Sequence, residues 1–234
     1  MAVPKAARLL EAERFGPTTR RLVFEVEAPP LDFIGGQYLI FDPGIRLPDG
    51  RAAKRAYSIL SSDEAQTRFE IAVRRIENGP GSGRLHEMAP GESMSFSGPW
   101  GKFLPLEDAS PTLVVATDTG ITAALGLLRG ARFAPRLAAT RLVWLVSSED
   151  YFLPFSFVRA ALPAALGEFR IEPPSAAGLL DVSSFARIYL AGDGDAIYPI
   201  SARARDEGLD ESRIVLEPFF NNPLKKAPSA QGAR

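Results

Sequence analysis

Residues 101–128 read GKFLPLEDASPTLVVATDTGITAALGLL, and the change of pattern inside this stretch decides the fold. GKFLPLEDASP (101–111) carries the proline and charge of a connecting segment. TLVVAT (112–117) is an unbroken apolar run, as expected of a strand buried on both faces. DTG then turns the chain, and ITAALGLLRGA begins a helix. Downstream the pattern repeats. RLVWLVS (141–147), RIYLAG (187–192) and RIVLE (213–217) read as strands, with helical stretches over 155–166 and 196–205 between them. Strands alternating with helices predict a parallel sheet covered on both faces.

Upstream the pattern differs. RLVFEVE (21–27) alternates, with Leu22, Phe24 and Val26 on one face. QYLIF (37–41), AYSIL (56–60), RFEIAVR (68–74) and ESMSFSG (92–98) follow, separated by Pro, Gly and Asp clusters. Short strands at such spacing predict a barrel or sandwich, interrupted by one short helix over about 82–88. The expected division is 1–106 for the β part and 107–234 for an α/β part, with a disordered tail from Pro223. Ligands of open α/β sheets sit outside the carboxyl ends of the strands.

Composition removes several classes of chemistry. The sequence has no cysteine, so thiolate nucleophiles, disulfides, iron–sulfur clusters and Cys-type zinc sites are excluded within these residues. One histidine, His86, argues against a histidine metal centre or a Ser-His-Asp triad, and it reads best as structural. A net charge of -1 argues against a nucleic-acid surface. No segment has the length and apolarity of a membrane span or signal, so a cytoplasmic protein is expected. Hydrophobic residues make up 46%, enough for a sizeable core, in which Trp100 and Trp144 are expected as core or interface aromatics.

Four motifs carry candidate chemistry. In RAYS (55–58), strand alternation puts Arg55 and Tyr57 on one face and Ala56 and Ser58 on the other. Such an arginine can grip a phosphate, the tyrosine can stack on a flat ring, and the serine can hydrogen-bond a ring nitrogen. An ordinary half-buried strand is the bland alternative. ENGPGSGRLHEM (77–88) offers a glycine-rich turn at a helix start, suited to a pyrophosphate, or else a plain loop in which Ser82 caps the helix. Arg74 and Arg75 add positive charge nearby. GPWGKF (98–103) is a tight turn beside the connecting segment, and ATDTGIT (116–122) is a strand–loop–helix junction that can hold a dinucleotide phosphate.

Taken in order, RAYS, GPGSGRL, GPWGKF, ATDTGIT, a strand ending in AGDG, then Glu217 followed by Phe219 and Phe220, the sequence resembles the ferredoxin–NADP reductase superfamily, most of all its bacterial ferredoxin/flavodoxin reductase branch. The resemblance spans roughly residues 20–222. It implies a six-stranded antiparallel barrel that binds FAD, followed by a Rossmann-like parallel sheet for NAD(P). It implies that Arg55 holds the FAD pyrophosphate, Tyr57 stacks on the isoalloxazine beside Ala56, and Ser58 lies near N5. Gly81, Ser82 and Gly83 would cradle phosphate, with Val73 and Arg74 contributing backbone contacts. Thr117, Thr119, Gly120 and Gly192 would face the nicotinamide nucleotide, and Phe219 and Phe220 the flavin. Glu217 would assist orientation or protonation, or else serve as a salt-bridged strand end. The implied activity is electron transfer from NAD(P)H to ferredoxin, flavodoxin or an oxygenase component.

The sequence departs from the family pattern in its second half. Asp118 stands where the family's first loop usually has glycine, Ala123 where a proline usually follows, and Ala191 where a cysteine precedes Gly192. A carboxylate beside a pyrophosphate is repulsive, about 1 kcal/mol at 4 Å in water. SSEDYF (147–152) has no arginine for a 2′-phosphate, so NADH is expected over NADPH. The alternative is a second half that serves another donor or a protein-interaction or regulatory role.

Overall fold

The computed structural model describes residues 5–222 apart from 28, 109, 148 and 150; the tail expected from Pro223 lies outside the described residues. The first half contains β1 (Lys5–Phe15), β2 (Thr19–Glu25), β3 (Tyr38–Asp42), β4 (Arg55–Ser58), β5 (Arg68–Arg74), α1 (Pro80–Glu87) and β6 (Ser93–Trp100). The six strands pair antiparallel in the order β4-β3-β6-β1-β2-β5. The edge strands meet just beyond β4, where the amide of Leu60 donates to the Glu70 carbonyl at 2.9 Å, closing the barrel. Its core packs Phe24, Phe41, Phe69 and Phe96 together, with neighbouring ring centroids 5.3 to 6.2 Å apart. These four rings fill the interior that strand alternation directs inward.

The second half contains β7 (Thr112–Thr117), a 3-10 turn (Asp118–Gly120), α2 (Ile121–Arg129), β8 (Thr140–Leu145), α3 (Phe155–Ala161), β9 (Glu168–Glu172), β10 (Arg187–Asp193), α4 (Gly194–Asp206) and β11 (Ile214–Phe220). The five strands are parallel in the order β11-β10-β7-β8-β9. Alternation along β7 explains its apolar run: Val114 and Ala116 face a core shared with α2, whereas Leu113 and Val115 face one shared with α4. The chain runs outward from β7 to β8 and later returns on its other side as β10, so the crevice between β7 and β10 is a topological switch point.

Three expectations are corrected. β1 and β9 are strands that the sequence pattern did not single out. The helix expected over 155–166 stops at Ala161, because Leu162 is extended ahead of Pro163. Trp144 is fully buried, but Trp100 is 41% exposed on the last residue of β6.

The two halves touch backbone to backbone. A Cβ on Gly126 would lie 2.1 Å from the Ile59 carbonyl oxygen, and one on Gly35 would lie 2.3 Å from the Gly126 carbonyl oxygen. Around this seam Asp63 accepts from the amides of Gly35 (3.0 Å) and Ala131 (2.8 Å), and Arg129 donates to the Leu60 carbonyl (2.9 Å).

Candidate functional site

A cleft of about 590 Å³ opens between the barrel and the parallel sheet. β4 forms one wall, and because β4 is an edge strand only four residues long, Arg55, Ala56, Tyr57 and Ser58 all reach the cleft. Tyr57 also sets its ring edge-on to Phe41 at 6.0 Å, so it bridges core and cleft. Burial pushes its hydroxyl up to about 12, against the opposing pull of the Arg55 charge. Arg55 is exposed, and its guanidinium donates to the Lys54 carbonyl at 2.7 Å.

The helix start lies against β4. A Cβ on Gly81 would sit 3.0 Å from both the Ala53 carbonyl oxygen and Arg55 Cγ, so the first turn of α1 is as close to the arginine as a residue without a side chain permits. Ser82 is buried in that first turn. Its Oγ accepts from the Ile76 amide (3.0 Å) and donates to the Gly79 carbonyl (3.1 Å), so it braces the preceding turn and is not the helix cap, a position held by Gly79. Ser82 and Gly79 line the cleft; Gly81 and Gly83 do not.

The far wall comes from the second half: Asp118, Thr119, Thr122, Phe152, Glu217, Phe219 and Phe220. Arg74, at the end of β5, makes a bidentate pair with Asp118 at 2.7 and 2.9 Å, and its guanidinium sits 5.3 Å from the Phe152 ring centroid. The carboxylate expected to repel a phosphate is thus matched by a cation. Asp118 has φ +44°, a left-handed conformation that asparagine and aspartate tolerate better than other side chains, and its carbonyl accepts from Trp144 Nε1 at 2.9 Å.

Other expected residues lie behind these walls. The Thr117 hydroxyl accepts from the Asp193 amide at 2.7 Å. A Cβ on Gly192, where φ is +124°, would meet Thr117 Oγ1 at 2.2 Å, and one on Gly120 would meet the Ala191 carbonyl oxygen at 2.2 Å. Thr117, Gly120 and Gly192 therefore close the β7–β10 junction on itself, and only Thr119 of that loop's expected set faces the cleft. Val73 points into the barrel core, and His86 Nε2 lies 2.9 Å from its carbonyl oxygen.

Sequence reasoning missed Tyr38, Ile76 and Phe152, which also line the cleft. Tyr38 pairs with Ser58 across β3–β4, and burial together with the Glu217 charge raises its hydroxyl pKa.

The cleft suits a flavin nucleotide. It offers an aromatic floor, an arginine open to an anion, and a helix start packed against that arginine. Among the described residues no cluster of His, Asp or Glu could hold a metal ion, and no helix is long and apolar enough to cross a membrane.

A closed antiparallel barrel thus presents its arginine-bearing strand to a parallel sheet across the cleft. Residues 6–104 match the family model described as oxidoreductase FAD-binding domain. The chain is 36% identical over 147 residues to ferredoxin–NADP reductase B of Sorangium cellulosum, covering 62% of this chain and 58% of that protein. It is 33% identical over 129 residues to the ferredoxin–NAD(+) reductase component of the alkene monooxygenase system of Xanthobacter autotrophicus, covering 54% of this chain and 37% of that one. The chain thus spans well under two thirds of these relatives' lengths. A ferredoxin NADP+ reductase from Neisseria gonorrhoeae, solved with bound FAD and NADP, shares the fold with a TM-score of 0.76 at 20% identity, over 94% of this chain and all of that one.

Proposed function

We infer that the chain is an FAD-dependent oxidoreductase carrying electrons from NAD(P)H to a one-electron carrier, either ferredoxin, flavodoxin or an oxygenase component. The observation that carries this reading is the cleft itself: RAYS on one wall, phenylalanines and a nucleotide-type loop on the other. The names of the relatives support the donor and acceptor classes. We assign 1–106 to the flavin part and 107–234 to the donor part, and place the protein in the cytoplasm, the compartment of its proposed donor.

Arg55 would hold the diphosphate through charge-assisted bonds, aided by the amides at the start of α1. Tyr57 would lie against the isoalloxazine with Ser58 at its edge. Phe219 and Phe220 would cover the other side and keep water out until a donor displaces them. Glu217, beside the hydroxyl-bearing ring of Tyr38, would hold a proton or orient the donor. Bound there, FAD supplies the conversion of an electron pair from NAD(P)H into single electrons. No side chain has to act as a strong acid or base.

NADH is the favoured donor, because 147–152 brings no arginine to meet a 2′-phosphate. A second reading, in which the donor half has lost nicotinamide use, is favoured by the Arg74–Asp118 pair standing in the cleft. Anaerobic mixing of the purified yellow protein with NADH or NADPH separates the two. We expect bleaching, faster with NADH. Unchanged colour with both would defeat the donor reading, and a colourless protein that takes up no FAD would defeat the whole assignment.

A further inference from the structure

We propose that Asp118 sets donor affinity by occupying the Arg74 guanidinium that a phosphate of the dinucleotide would otherwise meet. The inference rests on the donor reading above.

Position comes first. Asp118 directly follows β7, at the crevice between β7 and β10 where dinucleotides approach an open parallel sheet. Both Asp118 and Arg74 line the cleft, yet they come from different halves of the chain. The carboxylate is aimed by its backbone, since Trp144 Nε1 holds the Asp118 carbonyl at 2.9 Å and φ is +44°. The pair takes both terminal nitrogens of Arg74, at 2.7 and 2.9 Å, while the buried Nε has no hydrogen-bond partner among the described residues. The guanidinium is further fixed over Phe152.

The pair is also breakable. The side chains are 23% and 31% exposed, so water screens their attraction. A diphosphate brings more negative charge than one carboxylate and presents oxygens to the same planar fork. Donor binding therefore has to displace Asp118 from Arg74 and then tolerate its charge nearby. Both effects oppose binding, and both vanish when the carboxylate is neutral.

Asp118→Asn removes the charge and keeps both the shape and a residue that accepts a left-handed backbone. FAD-loaded wild type and variant are titrated with NAD+ and NADP+, which bind without reducing the flavin, and difference spectra and calorimetry give Kd. We expect Asp118→Asn to lower Kd about fivefold, the scale of one partly exposed ion pair, with a steeper dependence on salt. Arg74→Ala should raise Kd, and the added Asp118→Asn change should recover less on that background than in the wild type. An unchanged or higher Kd for Asp118→Asn, measured on folded protein of equal flavin content, overturns the proposal. If NADH still reduces the wild type in that case, the donor reading survives alone. Tight binding confined to the variant would support the proposal while sinking the donor reading. No binding by any form sinks both.

Discussion

Two arginines that look alike in sequence meet the cleft in opposite states. Arg74 is committed to a carboxylate, whereas the Arg55 guanidinium donates to its neighbour's carbonyl and lies exposed against the start of α1. A cation held beside a helix start and open to solvent is placed to take an anion. Arg55→Ala should therefore weaken FAD binding by about 1.5–3 kcal/mol, the worth of a charge-assisted hydrogen bond. Equilibrium dialysis of the apoprotein with FAD reads this directly, and wild-type affinity in the variant would remove Arg55 from the diphosphate site. At this scale the RAYS tetrapeptide was legible, because alternation and residue chemistry are local properties. Asp118 was legible as an odd carboxylate but not as a paired one. Its partner lies 44 positions earlier, and only the docking of the two halves brings them together.

The short helix α1 shows how elements borrow from one another. Its last carbonyls are met by arginines of β1 and β2: Arg20 donates to Leu85 (3.0 Å) and Met88 (2.7 Å), and Arg14 to His86 (3.4 Å). Cations at a helix C-terminus also suit its dipole. His86 lies among these arginines, 2% exposed, with Nε2 at the Val73 carbonyl and Nδ1 without a partner. A proton on Nδ1 would find no acceptor and three nearby cations. Burial above all, then Arg14, Arg20 and Arg75, hold the imidazole pKa below its ordinary 6.5. The unfolded chain therefore binds this proton at a higher pH than the folded one. The stability involved is fully present above about pH 6.5 and is lost as pH falls through that value toward the depressed folded pKa. Urea midpoints should decline between about pH 7.5 and 5.5 in the wild type, and His86→Gln should flatten that decline, since the sequence has no other histidine. Equal slopes would assign the effect elsewhere. The strands that escaped notice fail for a related reason. KAARLLEAERF (β1) is built from helix-favouring residues, and EFRIE (β9) buries no residue fully. Pairing with neighbours, invisible in a local window, makes both into strands.

At the scale of the whole molecule, the cleft exists because the two halves are held at one separation, and glycines set that separation. Domain interfaces within a chain are often polar and mobile. Here Gly35, Gly126 and Gly130 let α2 lie on the barrel's backbone, and Asp63 and Arg129 tie the rim. The periodicity of ITAALGLLR announced a helix, but no local feature marked Gly126 as the point of contact. Helix propensity alone favours alanine over glycine by about 1 kcal/mol, so an inert Gly126 would make Gly126→Ala stabilising. The contact argues the reverse. The new Cβ would stand 2.1 Å from the Ile59 carbonyl oxygen, backbone that cannot rotate aside, so the halves must separate or α2 must shift. We expect a net loss of about 1–3 kcal/mol, the usual cost of overpacking, read as a lower melting temperature. Widening the seam should also strain the Arg74–Asp118 bridge, so Gly126→Ala and Asp118→Asn should be non-additive in stability although their sites lie in different elements. A Gly126→Ala protein as stable as the wild type, with simple additivity, would show that the halves are not held by this seam, and the cleft would then need another explanation for its width.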